Sequence, residues 1–171
     1  MWTLGRGLLV VALAVQTSGL GGQHDAARRL RVGVYDNRAI AVAYAASDWN
    51  QVRTRTDEHA RAKEAGDEAR VQELGRWGKA HQRQLHRQGF ARVPVDDLLE
   101  HVRDRLPEVA RDQGLDLIAW HCDYVTESVE VIDVTHQLVL LFEPSEKTLR
   151  TIAELVQKDP VPLDELAGHD H

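Results

Sequence analysis

Two short apolar runs, far apart in the chain, constrain what this sequence can fold into. The first, Leu30-Arg31-Val32-Gly33-Val34-Tyr35-Asp36, reads as a strand that leads into a helix over Arg38–Ala46. The second, Gly114-Leu115-Asp116-Leu117-Ile118-Ala119-Trp120, reads as another strand; a third, Val129–Val134, follows and leads into a further helix. Residues 47–113, between the first two, are mostly charged and helix-favouring. Strands this short are not stable alone, so they must meet in one small sheet, and the chain between them must leave and come back. The expected fold class is α+β: a small β-sheet body with packed helices and a projecting antiparallel α-helical hairpin.

The excursion has its own pattern. Gln51–Ala65 and Glu68–Gln88 are polar helical stretches on either side of Gly66-Asp67. Gly66 is placed to close one helix and Asp67 to cap the next. Ala45, Trp49, Val52, Thr56 and His59 follow a 4-3 spacing, and so do Val71, Leu74, Gly78, His81 and Leu85. These are the seam positions of a two-helix coiled coil. The seam is thin, with Thr, His and Gly where Leu or Ile would interlock, and Gly75 and Gly78 each cost about 1 kcal/mol against Ala in a helix. The arm is therefore expected to be marginally stable at its tip. Trp77 flanks the seam and is its one candidate contact residue for a bound partner, against the simpler reading of packing across the hairpin.

The chain returns at Gly89-Phe90. A helix from about Asp96 to Gln113 presents Leu98, Leu99, Val102, Leu106, Val109 and Ala110 on one face, with a kink expected at Pro107 and an end at Gly114. Asp133 or Thr135 is expected to cap the helix Gln137–Phe142, and Ser145 the helix that runs to about Lys158.

The first residues read as an export signal. One positive charge at Arg6, the apolar run Leu8–Val15 and the small and polar residues Gln16–Gly22 give its three parts in order. The apolar run is too short for a membrane span. Export through this leader would place the protein in the periplasm. At −6, and more acidic once Arg6 is lost, the charge argues against nucleic acid as a partner and offers no basic patch to an anionic membrane. The single cysteine, Cys122, cannot form an internal disulfide.

Signatures of catalysis are missing: there is no Gly-x-Ser-x-Gly, His-Glu-x-x-His, phosphate-binding Gly-rich loop or Cys-x-x-Cys. His81 and His86 are off the helical spacing that brings two ligands to one face. His169 and His171 sit in the tail. No catalytic residue, cofactor or metal site is expected. The one place for a site, should there be one, is the strand ends, where Asp36, His121, Cys122 and Asp123 would have to converge. Asp36 is equally explained there as a helix cap.

The order of these pieces resembles the Skp/OmpH type of periplasmic chaperone over roughly Leu30–Leu141. The points of likeness are the strand Leu30–Asp36, the charged hairpin, the Gly114–Ile118 return and Asp133–Thr135 before a helix. The resemblance implies a body that trimerises and arms that hold unfolded outer-membrane polypeptides. This chain differs in a shorter arm, of roughly 40 Å at most, in its acidic charge and in the added segment 143–171.

The organisation expected is a signal peptide over 1–22, a linker over 23–29, a Skp/OmpH-like domain over 30–158 with the arm at about 45–88 inserted in it, and a flexible tail over 159–171. The function expected is that of a homo-oligomeric holdase or scaffold for unfolded or envelope proteins, acting without a cofactor and soluble once its leader is removed. The alternative is an exported enzyme or small-ligand-binding protein with its site at the strand ends.

Protein recovered from the envelope fraction is expected to begin near Gly22, as intact-mass measurement would show. Recovery of all 171 residues would sink the leader reading.

Overall fold

The computed structural model describes residues 28–167. The leader, most of the linker, His169 and His171 lie outside them. The three runs form one sheet, all parallel, in the order β2-β1-β3. The strands are β1 (Leu30–Val34), β2 (Leu117–Ala119) and β3 (Val129–Asp133). Val32 lies opposite Leu117 on one side and Val131 on the other; Val34 lies opposite Ala119 and Asp133. Parallel neighbours need long crossovers. That is why everything between residues 35 and 116 sits between the first two strands, and why only the segment 120–128 is left to carry the chain from one edge of the sheet to the other.

Helix α1 (Asn37–Ala45) is the centre of the molecule. Asp36 caps it, accepting the Arg38 N–H at 2.9 Å. Its sequence is rich in alanine, and Ala39, Ile40, Ala41, Ala43 and Tyr44 are all buried. A helix apolar on every side must be covered on every side. The small residues let α3 (Glu68–Phe90), α4 (Asp96–Leu99), α6 (Thr135–Leu140) and α7 (Glu146–Leu155) approach it. The core it organises includes Tyr35, Val95, Val102, Val134, Leu138 and Phe142.

The excursion is helical where expected: α2 (Val52–Glu64), then α3. Between them Gly66 adopts φ +70°, Asp67 N–H donates to Ala62 O at 2.9 Å and Gly66 N–H to Lys63 O at 3.2 Å. This pair of bonds is a Schellman closure. Asp67 then caps α3 through the Arg70 N–H at 3.0 Å. Gly114 ends α5 (Leu106–Asp112) with the same two bonds, Leu115 N–H to Ala110 O and Gly114 N–H to Arg111 O. Arg31 locks this second turn by donating to the Gln113 and Gly114 carbonyls at 2.8 and 3.0 Å.

Several expectations are corrected. The helix 96–113 is three pieces, α4, a 3-10 turn over Glu100–Arg105 and α5, and the break falls at Val102 (φ −125°) rather than Pro107. Pro107 sits in the first turn of α5, where its missing N–H costs nothing. The 4-3 seam does not close along its length. Ala62 and Leu74 are buried, but Val52 and Thr56 are exposed. Nothing lies within 4 Å of a Cβ built on Gly78. A seam of Thr, Gly and His lacks the volume to fill itself. The described part of 159–171 carries the short helix α8 (Leu163–Ala167), and Val161 N–H donates to Phe90 O at 2.8 Å; neither observation tests the flexibility expected of this segment.

Gly75 also has open space around it. Gly75→Ala is therefore expected to stabilise the protein by about 0.5–1 kcal/mol, through helix propensity alone. Gly66→Ala is expected to cost about 1 kcal/mol, through its left-handed backbone. Urea midpoints of the two variants should move in opposite directions.

Candidate functional site

An all-parallel sheet gathers every strand C-terminus on one side, and ligands of such sheets bind in the crevice there. Here that side carries an open cleft of about 1210 Å³. Its floor is Val34, Asp36, Trp120 and Asp133, and its walls come from the start of α6 and from α7. Asp36, His121 and Cys122 all reach it, while Asp123 is not among its lining residues.

The four residues do not form a reactive constellation. Asp36 is committed to Arg38, whose Nη2 and Nε donate to its two oxygens at 2.6 and 3.1 Å. Burial pushes the Asp36 carboxyl up, but the hydrogen bonds from Arg38 and the charges of Arg38 and Arg92 outweigh it, so its pKa falls below the ordinary 3.8. His121 pairs with Asp123 at 3.1 Å on the open surface. Cys122 is a free, half-buried thiol. Among the described residues no hydrogen bond or ion pair joins Asp36 to His121, Cys122 or Asp123. Burial and the charge of Asp96 push the neighbouring Tyr35 hydroxyl up to about 12, which keeps it protonated. No group of three or more His, Cys, Asp or Glu among the described residues is placed to hold a metal ion.

What the strand ends do hold is a polar clamp. Asn37, 2% exposed, donates both amide hydrogens, to Gln88 O at 3.0 Å and Ala91 O at 2.8 Å, and accepts from Trp120 Nε1 at 3.3 Å. Arg38, 4% exposed, spans Asp36 and Lys158 O, the latter at 2.7 Å. Neither Asn37 nor Arg38 is among the site residues expected from the sequence. The signal was present: two strongly polar residues opening a helix otherwise made of Ala, Ile, Val and Tyr.

A second concavity, about 800 Å³, runs along α1, α2, α3 and α7. Val52, Leu74, Trp77, Leu85, Phe90 and Leu155 line it, and no Asp or Glu does. This groove is the unfilled part of the seam. Trp77 stacks on His81 with centroids 4.8 Å apart and planes at 13°, and the Arg55 guanidinium of α2 lies 5.6 Å from its ring centre. Trp77 thus packs across the two helices and borders the groove at once. His81 Nε2 lies 2.9 Å from Asn50 Oδ1, and in the Nε2–H tautomer it is the donor. Burial lowers the His81 pKa against a smaller opposing pull from Asp97, so the ring stays neutral at pH 7.

No family model matches this chain, and no curated protein or solved structure matches it either. The residues themselves carry the functional argument.

The Asp36–Arg38 pair gives a sharp expectation. Asp36→Asn keeps a capping oxygen but strands a buried guanidinium, so it should cost about 2–4 kcal/mol. Asp36→Ala should cost about 1 kcal/mol more, for the cap. The Asp36 pKa is depressed in the folded state, so its contribution is complete above the unfolded value and is lost as pH falls through the folded one. The gap between the parent and Asp36→Asn in urea unfolding should therefore narrow on going from about pH 6 to about pH 3. A constant gap would show that the ion pair is not its source.

Proposed function

We propose that this protein is an exported, Skp/OmpH-like holdase or scaffold that binds apolar segments of unfolded or envelope polypeptides without a cofactor. The observation that carries the reading is the open apolar groove between α1, α2, α3 and α7. Its lining is mostly apolar, with Arg55, His59, His81 and His86 among the polar side chains. Such a surface holds many sequences weakly, because apolar burial is non-directional and its few polar groups impose little geometry. In this reading α2 and the first half of α3 are an antiparallel helical hairpin arm. Buried Ala62 and Leu74 and the Arg70–Glu58 pair at 2.8 Å hold its two helices together. That is enough to keep the arm formed and little enough to let it adjust.

Assembly belongs to the same proposal. On one face of the sheet Leu30, Leu117 and Val131 are 44%, 42% and 40% exposed, and β2 and β3 each leave an edge unpaired. Apolar faces and free edges of this kind are places where further copies of the chain would pack. Three copies are what the resemblance implies. The periplasm is the compartment that goes with the leader.

The test is suppression of aggregation. A urea-denatured outer-membrane β-barrel protein, diluted into buffer with the mature protein, should scatter less light than without it. Val52→Ser with Trp77→Ala should lose most of this effect while keeping the parent's mass in solution. Val131→Glu, on the sheet face, should break the oligomer. A parent that is a monomer and protects no unfolded client would overturn the proposal.

A further inference from the structure

The strand-end cleft is independent of the arm groove, and its charges follow a different logic. Of the carboxylates that line it, Asp36 is neutralised by Arg38, and Asp133 is turned back on its own chain, accepting the Thr135 N–H at 2.8 Å. Of the cations that line it, Arg92 takes part in no ion pair among the described residues, and Arg150 has only a long, exposed contact of 3.7 Å to Glu146. His121 and His136 add further donors. Between these groups the lining is apolar: Val34, Val131, Leu149 and Val156, with the Trp120 ring beside them. Gln137 also lines the cleft, and its Oε1 is buried with no hydrogen-bond partner. A buried amide oxygen left without a donor is uncommon enough to need a reason.

We propose that this cleft binds a small organic acid with an apolar body. Its carboxylate is held by Arg92 and Arg150, its body lies over Val34, Leu149 and Val156, and a hydroxyl or amide donor on it satisfies Gln137 after a rotation of that side chain. Arg92 and Arg150 together favour an anion over a neutral ligand, against Asp133 as the one lining carboxylate without a cation in an ion pair among the described residues. Of Asp36, His121, Cys122 and Asp123 the first three line this cleft and Asp123 does not; the anchors proposed here are Arg92 and Arg150. No bond is made or broken in this proposal.

The probe is 4-hydroxyphenylacetate, which carries a carboxylate, an apolar ring and a hydroxyl. Its uncharged counterpart is 4-hydroxyphenylacetamide. Both are titrated into the full mature protein, followed by calorimetry and by backbone amide shifts. Saturable shifts are expected at Val34, His136 and Val156, with the acid bound about tenfold or more tightly than the amide, the scale of one charge-assisted hydrogen bond. Arg92→Gln should remove most of that preference while leaving the fold intact. Ala153→Trp, which fills the cleft from the exposed side of α7, should abolish binding of both molecules, and Trp77→Ala should change nothing. Absence of saturable shifts around the cleft, equal binding of acid and amide, or binding that survives Ala153→Trp would each overturn the proposal. Loss of binding in Trp77→Ala would move the ligand to the arm groove and overturn it as well.

Discussion

The structure depends on two consecutive polar side chains buried at the start of α1. Asn37 and Arg38 reach outward from the helix that α3, α4, α6 and α7 all touch. Between them they bind the end of α3 at Gln88 and Ala91, the end of β2 at Trp120 and the end of α7 at Lys158. These segments are far apart in sequence and share no strand pairing. Apolar contact alone would hold them near one another without fixing their positions. Hydrogen bonds to specific carbonyls fix them, and the low-dielectric surroundings make each bond expensive to break. Asp36 completes the arrangement by neutralising the guanidinium, so that its burial is tolerated.

From that node the packing is graded. Around α1 the core is closely covered, with Ala39, Ile40, Ala43, Leu138 and Phe142 at most 1% exposed. On the sheet, a Cβ built on Gly33 would come within 2.7 Å of Leu115 and 3.0 Å of Val134. Along α2 and α3 the reverse holds, and Gly66, Gly75 and Gly78 have no neighbour within 4 Å of an added Cβ. One chain thus carries a tightly filled centre and a loosely filled pair of helices, α2 and α3. The division follows composition: apolar and alanine-rich in α1, charged and glycine-interrupted in α3. Local opening should concentrate where buried contacts are fewest, which is the α2–α3 turn.

The local devices of this fold were legible in the sequence, and the long-range ones were not. Asp36, Asp67 and Ser145 read as helix caps and are caps, because a capping bond is decided within three residues. Gly66 and Gly114 read as helix ends for the same reason. Strand direction was not readable, since pairing with β1 is decided by crossovers and not by the strands' own residues. The break at Val102 has no Gly or Pro at it, and the Pro nearby drew the kink to the wrong turn. At the strand ends, three of the four residues singled out do reach one cleft, yet its lining also takes in Arg92, from the segment after α3, and Gln137, from α6. Only the folded chain brings these together, and no spacing in the sequence announces it.

The strand order carries a consequence for how the chain comes to be folded. β1 is the central strand, and both of its partners, at 117–119 and 129–133, come late in the chain. A polypeptide that emerges from its N-terminus onward holds β1 without a neighbour on either side until almost the whole domain has appeared. The helices of the excursion can form meanwhile from local contacts, but the sheet, and with it the clamp on Trp120 and Lys158, cannot. Loop closure over so long a stretch is slow compared with helix formation. The result is a chain that stays open through most of its appearance and sets only at the end, a schedule compatible with passage through a membrane in an unfolded state.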